Sequence, residues 1–332
     1  MNLDYFVYLD QQSSVESTPL PWGYIIGWVD HVSAKVFALE IERALAEEQG
    51  DRNQARDLRR QIVEIRENYR KRADKQIPVR CFPFASINFS FLPSPDWLGL
   101  QVDFELLTSW HSRDDRVFHV LDNPVRKDKV FGVPFMAAAS WKGMLRWACR
   151  MQAGLLQFLE EGKSFEREWR DPDWILHLFG NEKGEKEDFH QGALVFYATW
   201  FDRIGFEVIN PHSRARRAGT QPIYYEVVPP GARGIFSLLY APWPGMKPKV
   251  DRNEALPKLL EAIETLLTEY GISAKRTVGW GTARILEWRA YRKDATMLVC
   301  HEPSDEELRN GKSWQSFWQE IESSERSGRD AL

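Results

Sequence analysis

The chain has 332 residues, of which 43% are apolar and 28% are charged, so neither a disordered nor a collagen-like protein fits its composition. Its formal net charge of −4 argues against a protein that coats nucleic acid by bulk charge, although a local basic groove is compatible with it. Three widely spaced cysteines indicate neither a disulfide framework nor a zinc site. Since neither a secretory signal nor a membrane-spanning run is visible, we expect a soluble, cytoplasmic protein.

The first predicted element is a helical hairpin over residues 34–75. Apolar residues recur every three or four positions on both sides of a break at Gly50, which predicts two amphipathic helices. Gly50 suits a left-handed helix end, and Asp51 or Asn53 suits the cap of the second helix. Basic and acidic residues nearly balance, so we interpret the outer face as solvated, with docking as the alternative. The predicted apolar stripe of the first helix comprises Phe37, Ile41 and Leu45.

The middle of the chain mixes strands and helices in an order typical of an α+β fold. Alternation of polar and apolar residues predicts strands at 85–92, 102–107, 194–200, 223–228, 235–240 and 283–288. Helical periodicity predicts helices at 137–159 and 256–270, and a short helix in the tail after Pro303. Long loops are expected at 111–130, 180–191 and 203–222, and loops of that length are usually functional or disordered.

The segment from Pro134 to Arg146 bends through small residues into a helix whose first turn holds Ser140 and Lys142. Small residues at a helix start let a phosphate approach free backbone N–H groups. Lys142 and Arg146 are four residues apart and therefore share a helix face. An ordinary capped helix with surface cations explains the same pattern, and from this segment alone we slightly favour it.

The segment from Gly271 to Arg284 ends a helix and enters a strand through a loop that carries Lys275 and Arg276. Gly279 and Gly281 permit backbone geometry, or a close approach, that a β-carbon would block. The loop is similar to a clamp for a polyanion backbone, but its glycine spacing matches neither the dinucleotide fingerprint nor the P-loop. An ordinary turn with two glycines is the alternative.

Two loops concentrate charge. Between Arg203 and Gln221 the basic residues face one acid, Glu207, and we favour phosphate contact over mere solvation, because exposed arginines bind phosphates and stack on bases. These basic residues are Arg203, His212, Arg214, Arg216 and Arg217. The loop at 111–129 mixes carboxylates with cations and would suit a divalent ion at a phosphodiester. From spacing alone, a mixed-charge surface loop explains it better.

In this order the motifs resemble those of the RAMP superfamily of CRISPR-associated proteins. The family motif D-x-P-V-x-x-D is matched by Asp122–Asp128, and the lysine-bearing glycine-rich loop by Lys275–Gly281. The motif P-x-I-P-G-S-S-L-K-G-x-x-R is matched in part by Pro134–Arg146, with departures at 137–139 and at Trp141. Weaker likenesses lie at 178–180, 192–196 and 224–232, so the resemblance covers about residues 84–290.

The resemblance implies an α+β protein with a ferredoxin-like (RRM-type) core, large insertions and a role as a backbone subunit of a type III effector complex. Its implied partners are crRNA, target RNA and other subunits of that complex, with no membrane. The loop at 203–222 would be a thumb that interrupts the guide–target duplex, and backbone contacts suit a guide of variable sequence. The implied RNA-binding residues are Ser140, Lys142, Arg146, Arg203, Arg214, Arg216, Arg217, Lys275, Arg276 and Gly279.

We accordingly divide the chain into an N-terminal extension (1–83), an RNA-binding domain (84–301) and a helical tail (302–332). The extension is not part of the minimal family pattern, which suggests a specialised subunit.

In the target-cleaving members of the family, the first aspartate of the first motif is catalytic, and the matched position is Asp122. Its implied role is to orient the 2′-hydroxyl of target RNA for in-line attack, with a divalent metal such as Mg²⁺ assisting. Many members keep the fold without cleaving, so a non-cleaving structural subunit is an open alternative. A stand-alone metal-dependent endoribonuclease is less favoured, because no histidine lies in the matched motifs to act as a base.

Overall fold

The computed structural model describes residues 22–73, 87–114, 119–128, 132–181, 190–210, 212–213, 218–219, 222–293 and 297–330. Contacts divide the chain into two compact units. The first is drawn from Met1–Ile77, His111–Phe135 and Phe201–Pro229, and the second from Pro78–Trp110, Met136–Trp200 and Pro230–Leu332. No helix among the described residues is long and apolar enough to cross a membrane.

The elements are numbered here in chain order. The helices are α1 (Trp22–Glu48), α2 (Arg52–Ala73), α3 (Ala138–Gln152), α4 (Leu155–Glu160), α5 (Phe165–Glu168), α6 (Asp173–Phe179), α7 (Arg252–Thr265), α8 (Asp305–Asn310) and α9 (Ser313–Asp330). A π turn (Leu266–Tyr270) extends α7, and a 3₁₀ turn spans Arg276–Val278. The strands are β1 (Leu98–Leu106), β2 (Phe135–Met136), β3 (Leu194–Phe196), β4 (Thr199–Trp200), β5 (Gly205–Ile209), β6 (His212–Ser213), β7 (Ala218–Gly219), β8 (Ile223–Val227), β9 (Arg233–Tyr240), β10 (Ala283–Tyr291) and β11 (Val299–His301).

The second unit is built on a five-stranded antiparallel sheet in the order β11-β10-β1-β9-β3. Without the edge strand β11, the chain order is β1-α3-β3-β9-α7-β10. This is the β-α-β-β-α-β order of a ferredoxin-like core, with its first strand in the middle of the sheet beside its last. The α+β prediction is therefore confirmed.

The central strand β1 explains how the core of this unit forms. Every second residue from Leu98 to Leu106 is almost fully buried, as expected when one face of a pleated strand meets the core. Helix α3 packs on this face through Trp141, whose ring meets those of Phe104 and Phe236. The Trp141 Nε1–H also donates to Thr199 Oγ1 at 2.9 Å, so this departure from the family motif is a core residue.

The predicted helical hairpin is confirmed in the first unit as α1 and α2, but α1 begins at Trp22, before the predicted start at residue 34. Gly50 has φ 78°, the left-handed conformation predicted for it. Asp51 Oδ1 accepts hydrogen bonds from the backbone N–H groups of Asn53 at 3.1 Å and Gln54 at 3.0 Å, which is the predicted helix cap.

The buried face of α1 differs from the predicted stripe. Phe37, Ile41 and Leu45 are between 41% and 49% exposed. A strict four-residue repeat drifts around a 3.6-residue helix, whereas two packed helices bury positions at spacings near 3.5. The hairpin core accordingly comprises Val32, Val36, Leu39, Ala46, Ala55, Leu58, Ile62 and Tyr69.

Two other sequence predictions are wrong in part. Residues 87–92 form no strand, because Asn88 Oδ1 accepts a local hydrogen bond from the Ser90 N–H at 2.8 Å and bends the chain. The predicted helix at 137–159 is interrupted at Gly154, where φ is 95°, and continues as α4. The buried side chains of α3 are Trp141, Leu145, Arg146, Ala148 and Cys149.

The long loop predicted at 203–222 contains paired strands. In the first unit β5 pairs antiparallel with β8, from Gly205 opposite Val227 to Ile209 opposite Ile223, and β6 pairs with β7. The paired strands β5 and β8 therefore form a β-hairpin with the segment between them, which is called the thumb hairpin below.

Candidate nucleic-acid interface

The start of α3 lies in the second unit and has the polarity that an anion requires. Its N-cap is Ala137, no side chain caps it, and its first turn holds no acidic residue. Lys142 is exposed and Ser140 is half-buried. Partial desolvation of its ammonium group, and after it the positive charge of Arg146, lower the pKa of Lys142. A phosphate at this helix end would meet backbone N–H groups, the positive end of the helix dipole and a lysine.

Arg146 has a structural position instead. Its side chain is 7% exposed and contacts Asp171, which is 3% exposed, with Nη2 to Oδ2 at 2.5 Å. Arg150 and Trp169 also donate to this carboxylate, at 2.6 Å and 2.8 Å. Because contact with RNA would require this buried network to break, the structure does not support the predicted phosphate contact of Arg146, and we leave it out of the interface.

The electrostatics of Asp171 follow from these partners. Burial alone would raise the pKa of Asp171, but hydrogen bonds from Arg150 and Trp169 and the charge of Arg146 outweigh it and lower that pKa. Asp171 therefore stays ionised and ties the segment before α6 to two arginines of α3.

The predicted glycine loop, residues 271–281, is a compact turn of the second unit. Its ends meet through a hydrogen bond from the Ile272 N–H to the Gly281 carbonyl at 2.9 Å. Gly281 has φ 89°, and a β-carbon there would lie 2.4 Å from the Ser273 nitrogen, so the close approach predicted at this glycine is confirmed. Gly279 has φ 82° and lies in open space at the tip, where backbone is accessible to a ligand.

The glycine loop contacts α3. The Arg276 guanidinium lies 4.3 Å from the ring centroid of Trp147, and that ring packs edge-on against Tyr270. Lys275 is half-buried in the same turn. The glycine loop therefore packs on α3 at Trp147, the residue that follows the Pro134–Arg146 motif, about 130 residues earlier in the sequence.

Asp122, the predicted catalytic residue, lies in the first unit and is highly exposed. Its side chain is 77% exposed, and Arg66 of α2 donates from Nη2 to Oδ1 at 2.8 Å. The Nε of the same arginine donates to the Val120 carbonyl at 3.0 Å. Arg66 therefore fixes both the loop and one carboxylate oxygen.

The other side of this loop is held by β8. Asn123 Nδ2 donates to the Tyr224 carbonyl at 3.1 Å, and the Val125 N–H donates to Glu226 Oε2 at 3.0 Å. Lys127 Nζ lies 2.6 Å from both carboxylate oxygens of Glu226. The Tyr69 hydroxyl also contacts this carboxylate, so a buried network ties the Asp122 loop to α2 and to the thumb hairpin.

A cleft of about 1020 Å³ opens beside Asp122 in the first unit. It is called the hairpin cleft below, and its charged lining comprises Arg43, Arg59, Arg66, Arg70, Glu40, Glu67 and Asp122. The sequence interpretation treated this hairpin as solvated and did not single out these arginines. A signal was present, because positions 59, 66 and 70 are spaced by seven and four and so share a helix face.

The thumb arginines are only partly described. Arg203 is half-buried, with its Nε 3.8 Å from Asp202 Oδ1. Arg214, Arg216 and Arg217 lie outside the described residues, as do the side chains of β6 and β7.

The divalent metal implied for cleavage needs several oxygen or nitrogen ligands. Among the described residues, no group of three or more His, Cys, Asp and Glu side chains is placed to hold an ion. Asp122 has an arginine at 2.8 Å where a second carboxylate would be needed. Since these residues do not fit a metal, no step is derived through one.

Comparison with protein families shows which family the chain belongs to. A model of the RAMP superfamily matches residues 103–284, more than half of the chain. The chain belongs to the RAMP superfamily. The matched region of this RAMP protein includes Asp122, the start of α3 and the glycine loop.

The solved structures similar to this RAMP protein are distant. A chain of the "Type III-B Cmr-beta bound to cognate target RNA" is 18% identical with a TM-score of 0.40, and the match covers 60% of this chain and 62% of that one. A chain of the "Csm3-Csm4 subcomplex in the type III-A CRISPR-Cas interference complex" is 18% identical with a TM-score of 0.36, covering 66% and 85%. No curated protein matches the chain.

Proposed function

We propose that this RAMP protein is a backbone subunit of a type III CRISPR effector complex, and that it binds crRNA by its sugar-phosphate backbone. The observation that carries the proposal is the contact of the glycine loop with α3, through Arg276 and Trp147. It packs one predicted phosphate-binding segment against the helix that begins with the other, within the region that matches the family.

The chemistry of these segments suits a backbone rather than bases. Ser140 and Lys142 lie at an uncapped helix start, and Lys275, Arg276 and the open Gly279 backbone lie in the adjoining loop. These groups donate to anionic oxygens, which all nucleotides share, so the guide sequence is free to vary. In this proposal the thumb hairpin carries Arg203, Arg214, Arg216 and Arg217 toward the guide–target duplex, and neighbouring subunits complete the complex.

Replacing Lys142 and Lys275 together by alanine should weaken RNA binding and flatten its salt dependence. The slope of log affinity against log salt should shrink by about 0.7 for each lost contact to single-stranded RNA, or about 1.4 for the pair. Fluorescence anisotropy of labelled crRNA across a salt series measures this slope. Lys163→Ala is the matched control, because Lys163 is an exposed lysine of the same unit that pairs with Glu161. An unchanged slope in the double variant would contradict the proposal.

We also propose that Asp122 cleaves target RNA in the assembled complex. Arg66 occupies one oxygen of its carboxylate, and the high exposure leaves the other available to accept a proton. In the proposed step the 2′-hydroxyl gives its proton to Asp122 and its oxygen attacks the adjacent phosphorus. The bond to the 5′-oxygen breaks, and that oxygen takes a proton from water, which leaves a 2′,3′-cyclic phosphate and a 5′-hydroxyl.

Asp122→Asn should therefore reduce cleavage of target RNA at one site by about 100-fold or more, since a positioned base contributes that much, while RNA binding is retained. Gel analysis of target cleavage by the assembled complex measures it. Asp57→Asn removes an exposed carboxylate of α2 outside the hairpin cleft and should leave cleavage unchanged. Undiminished cutting at every site by Asp122→Asn would reject the enzymatic role and favour a structural subunit.

A further inference from the structure

The hairpin cleft contains arginines and an exposed tyrosine ring that are not part of the proposed crRNA-binding segments. We propose that it is a second RNA site, which binds single-stranded target RNA beside Asp122 through arginines of the N-terminal hairpin. This inference rests on the proposed function, since it assumes that target RNA reaches this subunit.

The arginines of the cleft differ in how far they are already engaged. Arg43 pairs with Glu40 at 2.9 Å and with Glu47 at 2.7 Å, and Arg66 is held by Asp122. Arg59 is exposed and forms no ion pair with another described residue. Its guanidinium is therefore available for an incoming phosphate, and it lies on the same face of α2 as Arg66.

An aromatic side chain lies beside these cations. Tyr224 lines the cleft, is 42% exposed, and has the Arg70 guanidinium 4.7 Å from its ring centroid. Arg70 Nε has no hydrogen-bond partner among the described residues. A ring backed by a cation is a suitable surface on which a base can stack, and stacking of this kind tolerates any sequence.

The size and composition of the cleft favour RNA over other ligands. Its volume of about 1020 Å³ is at the upper end of small-molecule sites, which span roughly 300–1,000 Å³ and are mostly apolar. Seven of its fourteen lining residues are charged, four arginines and three carboxylates, and Tyr224 adds an aromatic ring beside the apolar residues. An acidic peptide would use the arginines but leave the ring unused, whereas single-stranded RNA uses both the cations and the ring.

Asp122 lines the same cleft, so RNA bound there would lie beside the proposed catalytic residue. RNA held by Arg59 and stacked on Tyr224 would pass the carboxylate that Arg66 positions. The hairpin would then be an RNA-binding element rather than only a solvated scaffold, and Arg66 a positioning residue for Asp122.

The test is a binding cycle on the full chain with labelled single-stranded RNA. Arg59→Glu should weaken binding by about tenfold, because a phosphate contact is replaced by repulsion, and Arg59→Lys should restore most of it. Arg60→Glu is the matched control, since Arg60 is the next residue, is exposed and does not line the cleft. With RNA carrying 4-thiouridine, ultraviolet crosslinks to the peptide that contains Tyr224 should appear in the wild type and disappear in Arg59→Glu.

Combination with the Lys142→Ala/Lys275→Ala variant separates this inference from the proposed function. If both sites bind RNA, each set weakens binding and the fold-changes multiply. If only the lysine variant weakens RNA binding, the cleft proposal is overturned and the proposed function stands. If only Arg59→Glu weakens RNA binding, the cleft proposal stands and the proposed crRNA-binding segments are overturned. Equal losses in Arg59→Glu and Arg60→Glu would also overturn the cleft, as would a polyglutamate peptide that binds in an Arg59-dependent manner while RNA binding is unaffected.

Discussion

Replacement of Lys127 by methionine should lower the free energy of unfolding by about 3–5 kcal/mol, the cost of leaving one member of a buried ion pair without its partner. Lys127 is 6% exposed and Glu226 is 1% exposed, so water cannot take the place of the lost ammonium group. The Tyr69 hydroxyl and the Val125 N–H would remain near the carboxylate, but neither carries a compensating charge. Urea denaturation at neutral pH measures the change.

A double variant shows whether the loss comes from leaving the Glu226 charge unpaired or from removing the lysine side chain itself. Lys127→Met combined with Glu226→Gln should recover most of the loss, because a buried pair replaced as a whole is often nearly neutral. Lys258→Met is the control, since Lys258 pairs on the surface with Glu254 and such pairs contribute about 0–1 kcal/mol. A loss in Lys127→Met no larger than in this control would show that the buried network does not stabilise the unit. Release of the network should also free the loop that positions Asp122.

Asp171→Asn should be the second large loss, again about 3–5 kcal/mol, because it leaves the buried guanidinium groups of Arg146 and Arg150 without a counter-charge. The neutral amide can still accept from one arginine but presents N–H groups to the other. Thermal and urea unfolding would report the change, and Asp173→Asn, an exposed position at the start of α6, is the control.

The pH dependence of this second effect has a definite sign. The pKa of Asp171 is lowered in the fold, so its stabilising contribution is present above the unfolded value near ~3.9 and is lost as pH falls through the lower folded value. The gap in unfolding free energy between wild type and Asp171→Asn should therefore be constant from pH 7 to about pH 4 and narrow below it. A gap that is independent of pH would show that the carboxylate charge is not what stabilises this site.

Local patterns predicted much of the fold. The capped turn at Gly50 and Asp51 depends on neighbours within three residues, and the alternation over 102–107 identified the central strand. The predicted ferredoxin-like core came from resemblance, since no local rule sets the order of strands in a sheet. Where tertiary packing chose the face, as at Phe37 and Ile41, periodicity alone pointed to the wrong side of the helix.

The site was predictable only where motifs are local. Ser140, Lys142, Lys275 and Gly279 lie in segments whose composition is informative by itself. The sequence alone indicates a surface cation at Arg146, because its partner Asp171 is 25 residues away and no spacing rule connects them. The contact of Arg66 with Asp122 spans 56 residues, so the hairpin cleft appears only in three dimensions.

The first unit is assembled from three separated stretches of chain, and this has a consequence for its synthesis. Tyr69 and Glu226 are 157 residues apart, which a ribosome needs about 8–30 s to translate at roughly 5–20 residues per second. Lys127 is made 58 residues after Tyr69, but the nascent hairpin lacks the acid that completes its interior until the end of that interval. Folding of this unit therefore cannot be completed before the stretch from Phe201 to Pro229 has been made.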